Sequence, residues 1–212
     1  MKDRLNETSS VLPRFIFLNG PAGSGKDTLG TALHEIDPAI AVTKLAYPLY
    51  DILSIVNKGS CDPLTMAEAE KAGPITHLPN VTVRQFLINA GNFLQSYDKE
   101  ILGKILLAET NDAPDYIENF VVTDLRLAFN ITHIIRKVGA ENCVVINLFR
   151  PDHTWRGDIG TYITSDEVTC RVHQLHNTGT IENLTGAFLS MFNIEVEGPD
   201  GSVEPEAVLP TP

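Results

Sequence analysis

The chain has 212 residues, 43% of them hydrophobic and 20% charged, with a formal net charge of −11. That length suits one domain with a sizeable core. The acidic balance excludes a general nucleic-acid or anionic-membrane binder, but not a small anionic substrate held by a few local cations.

The opening MKDRLNETSS lacks a signal peptide's apolar segment, and no run approaches membrane-spanning length. Residues 1–13 read as a flexible N-terminus. The apolar run RFIFLN (14–19) predicts a buried strand, followed by the loop GPAGSGK (20–26). KDTLGTALHEI (26–36) carries Leu29, Ala32, Leu33 and Ile36 at helical spacing, and Asp37-Pro38 ends the helix. A second strand is expected at 41–46, then a helix over 48–58 with Pro48 in its first turn.

Residues 59–110 read as a helical insertion. It opens with a short helix, MAEAEKA, among Gly and Pro. In TVRQFLINAGNFLQSY (82–97), Thr82 is a plausible cap, and Val83, Phe86, Leu87, Ala90, Phe93, Leu94 and Tyr97 make one apolar face. DKEILGKILLAE (98–109) continues after a bend at Asp98.

The C-terminal half alternates. FVVTDLR (120–126) predicts a strand and 127–139 a helix closed by Gly139. NCVVINLFR (142–150) predicts a strand, the polar stretch 151–169 a mobile lid, RVHQLHN (171–177) a weaker strand and 180–192 a helix. From residue 193 the chain is acidic, Pro-rich and without amphipathic period, the pattern of a disordered tail. Cys61, Cys143 and Cys170 show no C-x-x-C spacing and fit no disulfide framework. They read as reduced thiols of a cytoplasmic protein. The six histidines show no metal spacing and read as structural.

Strands alternating with helices imply an α/β fold with a parallel, helix-covered sheet. Such sheets bind ligands at the carboxyl ends of their strands. The residues leaving each strand here are the 20–28 loop, Tyr47, Asp124 with Arg126, Arg150, and Asn177-Thr178-Gly179. They are expected on one rim.

The loop fits phosphate binding. Gly20, Gly23 and Gly25 let backbone N–H groups turn inward, with Ala22 and Ser24 between them, and the helix start adds positive potential. Lys26 would reach the β- and γ-phosphates. The residue after Lys26 is Asp27 instead of a hydroxyl, and Thr28 follows one position late. Asp27 could hold Mg²⁺ or one of its waters, since the ion prefers hard oxygen ligands. Alternatively it only caps the helix. Thr28 can offer its hydroxyl to the α-phosphate. Asp124 ends FVVTD as a metal-holding carboxylate would, or as an ordinary turn residue. Arg84, Arg126, Arg150 and Arg156 are the cationic candidates for a second phosphate and for transition-state charge.

GPAGSGKDTLG, KLAYPLYDIL, VRQFLINAGNFLQSYD, VVTDLR and LHNTGTIENL together resemble the phage-type deoxynucleoside monophosphate kinases, in order and approximate spacing over residues 14–192. Animal-type phosphomevalonate kinase has a similar G-K-D loop and D-x-R strand end. The resemblance implies a single P-loop kinase domain with sheet order 2-3-1-4-5, a helical substrate-binding region over 59–110 and a lid over 151–169. It implies ATP and Mg²⁺ as cofactors and γ-phosphoryl transfer to a dNMP. Its catalytic set is Lys26, Asp124 and Arg126, with Asp27 and Asp124 toward the metal. Gly20, Ala22, Gly23, Ser24, Gly25, Lys26, Asp27, Thr28, Arg150, Asn177, Thr178 and Gly179 would bind ATP. Lys44, Tyr47, Arg84, Arg126 and Arg156 would serve the acceptor. No nucleic-acid or membrane partner is implied; the oligomeric state is open, a homodimer being one option. Tyr50 departs from the family's P-L-K, Gln95-Ser96 stand where an Arg is usual, and Asn92 replaces a Thr.

Overall fold

The computed structural model describes residues 12–194, apart from 58, 60, 62, 63, 65, 67 and 156–159. The expected flexible N-terminus and acidic tail lie outside the described residues, save 12, 13, 193 and 194. The central sheet comprises β1 (Phe15–Asn19), β2 (Ile40–Thr43), β5 (Asn119–Leu125), β6 (Cys143–Phe149) and β7 (Arg171–His176). Their spatial order is β2-β5-β1-β6-β7, and every neighbouring pair is parallel. β1 lies at the centre. All five residues of FIFLN are buried, because helices cover both faces of the sheet.

Side chains alternate between two cores. Phe15, Phe17, Val122, Leu125 and Val145 point to one face, under α2 (Tyr47–Asn57), α5 (Ile101–Asn111) and α6 (Phe129–Val138). Ile16, Leu18, Val121, Val144 and Ile146 point to the other, under α1 (Lys26–Ile36) and α7 (Ile181–Ser190). Phe15 stacks on both Phe17 and Phe120 at centroid distances of 5.9 and 5.4 Å. All three cysteines are free and buried. Among the described residues no helix is long and apolar enough to cross a membrane.

Three expectations change. The second strand ends at Thr43, short of the expected 46, because the amides of Leu45 and Ala46 turn to bond the Asp124 carboxylate. Within the expected helical insertion, where no strand is expected, residues 74–82 form a small antiparallel hairpin of β3 (Pro74–Ile75) and β4 (Leu78–Thr82) beside α3 (Glu68–Ala72). Pro74 and Pro79 hid it, since proline argues against strand. The apolar face of α4 (Val83–Tyr97) is only partly used. Val83 is buried and Leu87, Ala90 and Leu94 pack on the core, but Phe93 and Tyr97 are 62% and 80% exposed. The helix packs on α2, α3 and its own hairpin more than on the sheet, which leaves Phe93 and Tyr97 without a covering element among the described residues.

Local rules hold at the helix ends. Thr82 caps α4 by accepting from the Gln85 amide, and Thr180 forms a capping box with Asn183 on α7. Thr180→Ala is expected to cost about 1 kcal/mol, read as a lower urea midpoint with an unchanged slope.

Candidate functional site

The carboxyl ends of five parallel strands necessarily share one edge, and the loop 20–25 leaves the central strand there. Gly23 (φ 77°) and Gly25 (φ 104°) hold the loop in left-handed backbone that side chains resist. A Cβ on Gly25 would lie 2.5 Å from Asn177 Nδ2. Gly25 is also the N-cap of α1, and no side chain caps that helix. The first N–H groups of α1 are therefore left to face the loop mouth.

Neighbouring strand ends pin the loop through its carbonyls. Arg150 Nη1 donates to Gly23 O at 2.9 Å, and Asn177 Nδ2 donates to Ser24 O at 2.9 Å. His153 Nδ1 lies 3.1 Å from Ala22 O, donating when that nitrogen carries the proton. Lys26 folds over the same loop and donates to Gly20 O at 2.6 Å and Pro21 O at 2.8 Å, with Ser24 Oγ at 3.4 Å. Burial lowers its ammonium from 10.5 to about 8, against the raising effect of Asp27 and with a further lowering push from Arg126. Asp124 and Lys44 act on it more weakly. Lys26, Asp27, Lys44, Asp124 and Arg126 thus form one electrostatic cluster.

Asp27 and Asp124 are both engaged. Asp27 Oδ1 meets Lys44 Nζ at 2.7 Å and accepts from Thr123 Oγ1 at 2.7 Å. Partial desolvation would raise its carboxyl, but the Lys44 hydrogen bond and charge, the Thr123 hydroxyl and Lys26 bring it below the ordinary value. Asp124 accepts from Leu45 N at 2.7 Å on Oδ1 and from Ala46 N at 3.0 Å on Oδ2. Burial pushes Asp124 up, opposed by those two amides and by Lys44 and Arg126. Its expected metal role thus competes with a clamp that spends both oxygens on backbone.

Among the other expected residues, Thr28 is exposed in the first turn of α1, and Thr178 and Gly179 are exposed before α7. Tyr47 opens α2, half-buried, its N–H directed at Lys44 O at 3.3 Å. Lys44 is only 7% exposed and ion-paired, so it contacts Asp27 instead of standing free for an acceptor. Arg84 is half-buried in the first turn of α4. Arg156 lies outside the described residues. Tyr50 is buried among Leu53, Cys61, Ile75 and Val83, and Gln95 Nε2 donates to Asn130 Oδ1 at 2.8 Å.

Sequence reasoning missed Thr123, His153, Asn19 and Asn147. Thr123 and Asn19 were findable as polar residues ending apolar strands. Asn19 Nδ2 donates to Leu125 O and Thr161 O, at 3.0 and 3.2 Å, and Asn147 Nδ2 to Ile163 O at 2.8 Å. These bonds lay residues 161–163 over the ends of β1 and β6. Tyr162 stacks there on Phe149 at 4.1 Å, and Trp155 meets Tyr162 edge-on. A cleft lined by Arg14, Lys137 and Asn142 opens at the opposite edge, away from these groups; the strand-end rule favours the loop.

No family model matches the chain, and no curated protein does. Among solved structures, an unliganded sugar kinase from Janibacter sp. HTCC2649 is similar with a TM-score of 0.40 and 11% identity, over 91% of this chain and 99% of that one. A likeness of that size carries no argument about what this chain does.

Proposed function

We propose that this chain is an ATP- and Mg²⁺-dependent phosphotransferase whose acceptor is a deoxynucleoside monophosphate. One observation carries the reading: a glycine loop with Lys26 folded into it leaves the central strand of a parallel sheet, and α1 begins uncapped behind it. β1 is where the strand order reverses direction, the place where such sheets take ligands. Lys26 on loop carbonyls is a cation holding acceptors that phosphate oxygens can replace.

The donor set suits a triphosphate. The α1 amides and Lys26 would take its phosphate oxygens. Arg150, beside Gly23, and Arg126, within the field of Lys26, would balance charge on the transferred group. Mg²⁺, when bound, would neutralise phosphate charge, with Asp27 the loop carboxylate nearest to serve it. The attacking oxygen belongs to the acceptor's own phosphate and is already anionic, so no general base is required. That oxygen forms the new P–O bond as the bond to ADP breaks. Residues 151–155 and 160–169 would then limit water access.

The acceptor is the finer part of the reading and rests on sequence resemblance. Tyr50 in an apolar cluster and Gln95 tied to Asn130 supply no cation where related kinases have one. That favours, as a second reading, another phosphorylated acceptor or a nucleotide-binding regulator. An ADP-release assay with ATP·Mg²⁺ and a panel of dNMPs, NMPs and phosphomevalonate decides. ADP release with at least one dNMP is expected. Release only with another acceptor replaces the substrate, and ATP binding without turnover on the whole panel removes the enzyme reading.

A further inference from the structure

The carboxylate beside Lys26 already has a cation. Lys44 Nζ sits 2.7 Å from Asp27 Oδ1, and the Thr123 hydroxyl donates to the same oxygen at 2.7 Å. Lys44 is 7% exposed, and a buried ammonium needs a close counter-ion. Its place is fixed from behind, because Asp124 clamps the amides of Leu45 and Ala46, the next two residues. Asp124, Lys44, Thr123 and Asp27 therefore form one connected support across the ends of β2 and β5 and the start of α1. Asp27 keeps a 65% exposed side chain, and among the described residues no hydrogen bond goes to Oδ2. Nor do the described residues contain a group of three or more His, Cys, Asp or Glu placed to hold a metal.

We propose that Lys44 is a built-in cation that screens Asp27, so that the empty loop does not take up a divalent ion by itself. Asp27 then presents one oxygen at reduced charge, and a divalent ion needs further oxygens from an incoming phosphate chain. Lys44 is a positioning residue in this scheme, in place of the acceptor contact expected from the sequence. The inference about later arrival with phosphate rests on the loop being a nucleotide site; the screening itself does not.

Mn²⁺ titration of the nucleotide-free, full-length protein, followed by electron paramagnetic resonance, tests it. Wild type and Lys44→Arg should bind Mn²⁺ weakly. Lys44→Met, with Lys44→Gln as the alternative should Met impair folding, should bind at least about tenfold more tightly, since an opposite charge in direct contact has been removed. Adding Asp27→Asn to Lys44→Met should abolish the gain. Thr123→Val keeps every charge and should stay within about threefold of wild type. Circular dichroism establishes that each variant folds. Unchanged Mn²⁺ affinity in folded Lys44→Met and Lys44→Gln overturns the proposal, as does a gain that survives Asp27→Asn. ATP binding, measured separately by equilibrium dialysis on wild type, reports on the nucleotide-site reading alone. Its failure leaves the Mn²⁺ result standing.

Discussion

Lys26→Ala should lower phosphoryl transfer by at least about 10²–10³-fold, the range for removing one group that meets developing charge, while far-ultraviolet circular dichroism stays unchanged. Among the described residues Lys26 bonds only loop carbonyls and the Ser24 hydroxyl, and its neighbouring charges offset only part of the cost of burying its ammonium. Its loss should therefore spare the fold, and the thermal midpoint should not fall by more than a few degrees. A wild-type rate in this variant would remove the phosphate-loop reading. The pH dependence follows from the same environment. A lysine lowered to about 8 loses its charge as pH rises through 8, whereas an ordinary one keeps it to about 10.5. kcat/KM, which reports the free enzyme, should thus decline above about pH 8. Below that pH Lys26 is charged and contributes no further change. Binding a phosphate chain in the alkaline range should take up a proton, measurable as a buffer-dependent binding enthalpy.

Gly103→Val should be strongly destabilising, costing about 3 kcal/mol or more. Gly103 lies in α5 where that helix crosses α6, and a Cβ there would stand 2.0 Å from the carbonyl oxygen of Asn130. That neighbour is helix backbone, so relief requires the helices to separate. Asn130 also accepts the Gln95 hydrogen bond, so the separation would disturb α4. The loss would be a large share of a typical stability of about 5–15 kcal/mol. A urea midpoint within error of wild type would show that the α5–α6 contact gives way easily. Gly103→Ala should fall between the two.

The elements of the sheet were legible because buried parallel strands read as short apolar runs and their helices as 3.6-residue periodicity. FIFL, FVV and CVVI are such runs, and the structure places them in β1, β5 and β6. The hairpin at 74–82 was not legible, since its two prolines and two-residue turn resemble loop. The half-used face of α4 was not legible either: periodicity gives a face its direction but not what lies opposite.

At the candidate site the division is similar. The loop's glycines, Lys26 and the strand-end residues Arg126, Arg150 and Asn177 could be named from order alone, because chain direction in a parallel sheet puts every strand's exit on one edge. What each residue touches could not. Lys44 read as an acceptor contact, and the fold gives it to Asp27. Asp124 read as a metal-holding carboxylate, and the fold commits both its oxygens to Leu45 and Ala46. His153 read as structural, and it lies against the phosphate-loop candidate at Ala22. By itself the sequence determined the layered α/β architecture and the edge where its chemistry would gather, since both follow from local pattern and chain direction. Only the tertiary structure decided which charges pair across β2, β5 and α1. Those partners are 17 to 96 positions apart in the chain, and only packing brings them within hydrogen-bonding reach.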